Sequence, residues 1–358
     1  MKKPNQEKVT WEIERQKRAD AKSLRLANAC KAKLGKRHTP RIATAVIAIP
    51  VLHAEKASSR EKIRQALLSA WTALHTGNTR IKLDFSRTHK IFPGGMLLLL
   101  ANVALMLDMY PGKVLAKCPP KSMAAQLLRH FGYADKLGVS LATSQPSHDS
   151  VVKWRHVSGT HADGEAITTL LNNLKTDTNA TIPEGLYEVL TEALINVRHH
   201  AYPEDYELPS ALRRWWIFSR LDNPTSSGPG NLYIGVYDVG VGIQKTMRQK
   251  LQKAEELLAH AEDWSSWFTW PTKQLEKRLL VEAVEHKRSS TGLAFRGNGL
   301  PEMKDFVTQT DSGSLSIISG YAQYTCRAAS GGKGYQCDDQ TLGTLILWSI
   351  PLTHKESL

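Results

Sequence analysis

Two rhythms of apolar and polar positions divide this chain. Residues 1–37 are charged almost throughout and read as a basic helix with little core of its own. Ile42 to Val51 is a near-continuous apolar run, the pattern of a buried strand. Ser59 is placed to cap a helix carrying Leu67, Leu68, Trp71 and Leu74, which Gly77 ends. A strand Arg80–Phe85 follows, then a loop with Pro93-Gly94-Gly95 and an apolar helix over 96–109 that stops at Gly112. Strand Val114–Cys118 and helix Ser122–Leu137 complete the unit. Short strands alternating with helices predict an α/β domain over 38–142.

Residues 143–164 are polar and read as a linker, with a first strand near Val151–Val157. A second domain is expected over 165–358. Its helix around 184–201 has a core stripe of Leu186, Leu190, Ala193, Leu194, Val197 and Ala201. On the same helix Glu188, Glu192, Asn196 and His200 fall at i+4 steps and form a polar ridge. A buried helix tolerates such a ridge only where a ligand, metal or water satisfies it. Further on, the strand Leu232–Tyr237 delivers Asp238 to its end, followed by Gly240 and Gly242. Gly297-Asn298-Gly299-Leu300 precedes a helix with Pro301 in its first turn, where free amides favour a phosphate. Gly343-Thr344 opens a last strand, Leu345–Ile350.

Composition narrows the class. The 358 residues are 41% hydrophobic and 23% charged, ordinary for a globular protein of two domains. The longest apolar stretch, Met96 to Leu107, contains Asn102 and is shorter than a membrane helix requires. With a charged N-terminus, this predicts a cytoplasmic protein without a membrane segment. Cys30, Cys118, Cys326 and Cys337 show no metal spacing and read as reduced structural thiols, although Cys326 and Cys337 could face each other across a hairpin. The formal charge is +13, and residues 1–37 alone hold twelve Lys/Arg against four Asp/Glu. That segment suits either nucleic-acid phosphates or a solvated amphipathic helix packed on a partner.

In order and spacing, the elements around Glu192–His200, Asp238–Gly242, Gly297–Leu300 and Gly343–Thr344 resemble the GHKL ATPase superfamily of gyrase B, the 90-kDa heat-shock chaperone, sensor histidine kinases and MutL. The resemblance implies a Bergerat-type α/β sandwich, a mixed sheet with helices on one face, that binds ATP and Mg²⁺. It assigns Glu192 to activate the attacking water and Asn196 to ligate Mg²⁺. His200 would lie near the phosphates or ribose, and Asp238 would accept from the adenine amine. Gly240 and Gly242 admit the base, Gly297 and Gly299 the phosphates, and Thr344 supports Asp238 through water. Arg288 or Arg296 would contact the γ-phosphate. The region 243–296, with a charged helix (243–262) and Trp264, Trp267, Phe268 and Trp270, corresponds to the family's mobile lid.

The segment Leu83-Asp84-Phe85-Ser86 to Phe92-Pro93-Gly94-Gly95-Met96 resembles a STAS-like domain, but Phe92-Pro93-Gly94 fills the usual phosphoserine position without a hydroxyl. His130 lacks the acidic neighbour of a histidine-kinase phosphoacceptor. The short tail after Ile350 leaves no room for the transducer domain of gyrase B, MutL or the chaperone. The expectation is therefore a Mg-dependent ATPase that switches partner proteins, with a homodimer open to it. The alternatives are an anti-sigma-type serine/threonine kinase, whose Glu-Ala-x-x-Asn-x-x-x-His motif Glu192–His200 matches, and a nucleotide sensor that does not hydrolyse ATP.

Overall fold

The computed structural model describes residues 43–76, 79–139, 151, 153–161, 163–178, 180–225, 229–249, 271–285, 299–310 and 313–352. These build a mixed α/β architecture on two sheets. The first is parallel, in the order β1-β2-β3, from Ala43–Ala48 (β1), Thr79–Asp84 (β2) and Val114–Lys117 (β3). The second is antiparallel at every described pair, in the order β4-β5-β6-β8-β7. Its strands are Trp154–Gly159 (β4), Trp215–Asp222 (β5), Gly230–Asp238 (β6), Ser314–Arg327 (β7) and Gly331–Leu352 (β8). Among the described residues the second sheet is thus antiparallel rather than mixed, and the parallel ladders belong to the first sheet.

Helix α1 (Ala57–His75) begins without a side-chain cap, and Ser59 lies inside its first turn rather than at the cap. Leu68 is 55% exposed, outside the stripe assigned to it. Helix α2 (Pro93–Met109) absorbs Pro93-Gly94-Gly95 into its first turn, so that segment is not a loop. Every residue from Pro93 to Met106 is buried, as a helix that is apolar all round requires. The glycines are demanded by packing: a Cβ on Gly95 would stand 2.2 Å from the Leu52 carbonyl carbon, and one on Gly94 2.5 Å from Leu347 Cδ1. Helix α3 (Met123–His130) is capped by Ser122, which accepts from the Ala125 amide, and ends before a separate 3₁₀ turn at Asp135–Leu137. His130 Nε2 lies 2.7 Å from the Trp154 carbonyl, a packing contact between the two sheets' elements.

The remaining helices are α4 (Gly164–Asp177), α5 (Leu186–Asn196), a short segment over 243–249, α6 (Thr272–Glu285) and α7 (Gly299–Thr308). Strand alternation sorts the second sheet's side chains to two faces. Leu232, Ile234 and Val236 join Leu190 and Ala193 of α5, Leu280 of α6 and Met303 of α7 in one core. Trp216, Phe218, Tyr237, Leu345 and Leu347 join Leu97 and its α2 neighbours in another. The second sheet is therefore covered on both faces, not one, and α2 is the layer the two sheets share. A Cβ on Gly235 would approach Leu97 Cδ2 to 3.1 Å, which shows how closely α2 lies on β6.

Two smaller expectations change. β1 is an edge strand with Val46 61% exposed, so Ile42–Val51 is not buried throughout. Cys326 pairs in register with Gly332, so Cys326 and Cys337 do not face each other, and both are free thiols.

Candidate functional site

The polar ridge of α5 is divided by its surroundings. Glu188 lies in an acidic surface hollow with Glu184, Glu302 and Asp305, away from the pocket that Asn196 and His200 line. Between Asn196 and His200 the helix widens into a π turn, Val197–Ala201, which breaks the i+4 geometry but still delivers His200 to the pocket. Glu192 does not line that pocket; it sits at its edge, where a Cβ on Gly299 would stand 2.8 Å from its Oε2. Burial, and then the nearby Glu302 charge, push the Glu192 carboxyl above its ordinary pKa, while His199 opposes the shift. Asn196 Nδ2 is buried without a hydrogen-bond partner, and the same Gly299 Cβ would stand 3.2 Å from it.

Across the pocket lies the end of β6. Asp238 is 4% exposed, and its carboxyl is pushed up to about 7 by burial. The backbone amides of Gly240, 2.8 Å from Oδ1, and of Thr344 partly offset that shift. Asp238 is in register with Thr344 on β8, which is in register with Ser319 on β7. The three residues form a row on one face of the sheet. Ser319 Oγ accepts from the Ile243 amide at 3.1 Å, and lies 2.9 Å from the Gly343 carbonyl and 3.3 Å from Thr344 Oγ1. Gln244 completes the cluster by bonding Ser319 through both ends of its amide.

Glycine is required at two points here. Gly242 has φ of +82°, and its missing Cβ leaves space beside Ser319 Oγ. At Gly240 a Cβ would meet the Ala201 carbonyl oxygen at 2.2 Å, so the strand end and the π turn touch backbone to backbone. The Val241 amide donates to that same carbonyl at 2.8 Å. Two tyrosines brace the corner: Tyr202 Oη accepts from the Val239 amide at 3.2 Å and donates to the Arg214 carbonyl, and Tyr206 Oη donates to the Val239 carbonyl.

These groups surround a pocket of about 740 Å³, its open mouth included. Apolar walls come from Val236, Ile346, Ile243, Met247 and Leu300. Asp238 and Thr344 lie on one wall and Asn196 and His200 on another, so apolar surface with a few convergent polar groups is presented to a ligand. Gly299, the first described residue of α7, lies beside Glu192 and Asn196. Gly297, Asn298, Arg288 and Arg296, and most of the expected lid with its tryptophans, lie outside the described residues.

Sequence reasoning missed Ser319, Gln244, Tyr202 and Tyr206. Ser319 and Gln244 are isolated polar residues that carry no motif and acquire partners only through strand pairing. Tyr202 directly follows the ridge and was visible, but nothing in one dimension connects it to Val239.

Among the described residues no group of three or more His, Cys, Asp or Glu is arranged to hold a metal ion. A magnesium ion bound mainly by nucleotide phosphates and water needs only one or two protein oxygens, and Asn196, on the pocket lining, carries a side-chain oxygen of that kind; its unpartnered Nδ2 is a donor and would serve a phosphate oxygen rather than a metal. Neither a protein-family model nor a curated protein sequence matches this chain.

Proposed function

We propose that this chain binds Mg-ATP in the Asp238 pocket and hydrolyses it, acting as a conformational switch on partner proteins. The observation that carries the reading is Asp238: a carboxyl group 4% exposed, with no cation among the groups that shift it, at the wall of a largely apolar pocket. A carboxylate in such a place costs stability unless a donor ligand uses it. The adenine amine is such a donor, and the backbone gaps at Gly240 and Gly242 suit a flat base.

The phosphates would extend from there toward Asn196 and the N-terminal end of α7, where the helix dipole favours negative charge. Bound magnesium would neutralise phosphate charge and orient the γ-phosphate. Asn196 would hold it, and Glu192 would take the proton of the attacking water. Its raised pKa improves its match to proton transfer near neutrality.

One observation favours a second reading. Glu192 stands at the edge of the pocket rather than among its lining groups. A hydroxyl on a partner protein could reach it there, making the γ-phosphoryl acceptor a Ser or Thr.

ATP turnover with Mg²⁺, measured for the wild type beside Glu192→Ala and Asn196→Ala, tests the proposal. Retained binding with lost turnover in Glu192→Ala, and weakened binding in Asn196→Ala, is the expected result. Binding without turnover in the wild type overturns the stand-alone ATPase, and no binding at all overturns the nucleotide site.

A further inference from the structure

One face of the parallel sheet is left largely open by the described residues, which reach it only at the β3 edge, where Gly138 and Val139 line a hollow with Lys82 and Leu115. On its other face Ile81, Leu83 and Val114 are fully buried beneath the helices. The open face is set by strand register: Thr44 beside Arg80, then Val46, Lys82 and Leu115 in one row, then Ala48, Asp84 and Lys117 in the next. Parallel sheets are almost always covered on both faces, because their strands lie between helices. Here Val46 is 61% exposed at the centre of the face, and Arg80 and Lys117 are exposed around it. A hollow of about 690 Å³ beside β3 has Lys82, Leu115 and Lys117 in its lining. Asp84 is the single acid of these rows, and its partner is Lys117 at 3.4 Å.

A surface of opposite charge lies on the other half of the molecule. The hollow between the start of α5 and α7 is lined by Glu184, Glu188, Glu302 and Asp305 around Val189 and Phe306, with no basic residue among the described residues of its lining. The two surfaces belong to halves of opposite net charge. Residues 1–139 hold 26 Lys/Arg against nine Asp/Glu, whereas 140–358 hold 21 against 25.

We propose that the open face of the parallel sheet is the docking surface for the acidic α5–α7 face of a second copy of this chain. Helices are what normally cover such a sheet, and this pair brings carboxylates to Arg80, Lys82 and Lys117 and apolar surface to Val46 and Leu115. The contact is heterologous, so it builds a ring or a linear array rather than an isologous dimer. Three strands about 4.8 Å apart, two of six residues and one of four, offer a face of at most roughly 10 by 20 Å. That is smaller than the ~800 Å² per partner of a standard stable interface, so the association is weak and salt-sensitive.

Sedimentation velocity of the full chain, freed of nucleic acid and without nucleotide, tests this over a range of concentrations at about 50 mM and about 500 mM salt. Concentration-dependent association that weakens in high salt is expected. Arg80→Glu/Lys82→Glu and, separately, Glu188→Lys/Glu302→Lys should each weaken it more than about tenfold, since like charges then face each other. An equimolar mixture of the two variants should regain a complex, because each retains the face the other needs. Arg80, Glu188 and Glu302 are exposed and Lys82 is half-buried, and unchanged circular dichroism and Tm confirm that the variants fold. A wild type monomeric at every concentration in low salt overturns the proposal. So does association that survives either charge reversal, a mixture that stays monomeric, or self-association that requires added RNA or DNA.

Discussion

Asp238 and Thr344 face each other on adjacent antiparallel strands, and the Thr344 amide supports the Asp238 carboxyl from the sheet itself. The family resemblance assigns Thr344 a water-mediated role through its side chain. The strand pairing adds a direct backbone contribution that any residue at 344 would make. The Thr344 hydroxyl meets Ser319 instead, at 3.3 Å. This separates what substitution at each position should do.

Asp238→Asn should keep or raise thermal stability near pH 8, because it removes a buried charge while preserving shape. ATP affinity should fall at least about tenfold, since a charge-assisted acceptor is replaced by a neutral one. Differential scanning fluorimetry with and without Mg-ATP, together with calorimetric titration, measures both effects. Unchanged affinity would remove Asp238 from the nucleotide site.

The pH dependence follows from the same carboxyl. Its pKa is pushed up to about 7 in the folded chain, against about 4 for an unfolded aspartate. Between those values the folded state binds more protons than the unfolded state. Asp238 therefore makes stability fall as pH rises from about 4 to about 7, with no further loss above that. The stability difference between wild type and Asp238→Asn, measured by urea unfolding at several pH values, should show this slope. Nucleotide affinity should change in the opposite sense, strengthening as pH rises through about 7 and the carboxylate ionises. Its pH dependence should flatten in Asp238→Asn.

Gly240→Ala should destabilise by about 1–3 kcal/mol, because the added Cβ meets backbone that cannot swing away. Gly299→Ala makes a useful contrast. The atom its Cβ would meet first is Glu192 Oε2, at the end of a flexible side chain, so stability should change less while turnover suffers. Urea unfolding and steady-state ATP turnover on the two variants distinguish the cases.

Arg60 is 2% exposed and makes a 3.1 Å ion pair with Asp339, also buried, while donating to the Ala54 carbonyl at 2.8 Å. It ties α1 to the β7–β8 hairpin of the other sheet. Arg60→Met strands the Asp339 charge and should cost about 3–5 kcal/mol. Arg60→Met/Asp339→Leu should recover much of that loss. Urea unfolding of the single and double variants checks the ordering.

Much of the fold was legible because periodicity reports burial directly. The largely apolar stretch of 96–109 predicted a helix, buried in its apolar run Met96 to Leu107 despite Asn102, and the runs at 114–118 and 232–237 predicted strands; all three lie where expected, within a residue or a few. The grouping of several candidate residues was also legible. Asn196, His200, Asp238, Gly242 and Thr344 meet around one pocket although about 150 residues separate the first from the last. Glu192 reaches only the edge of that pocket, and Glu188 faces elsewhere.

What the sequence determined by itself, then, was local: which stretches are helix or strand, which face of each is apolar, and which polar residues stand where a buried surface should be. These depend on propensity and on side-chain spacing within one element, both present in a single dimension. The tertiary structure alone decided that α2 serves both sheets, that the helix after Asn196 opens into a π turn against Gly240, and that Ser319 and Gln244 stand behind Thr344. It also decided that the described residues leave one face of the parallel sheet largely open. Each of these depends on register and packing between segments far apart in the chain, and such contacts leave no periodic trace in the residues that make them.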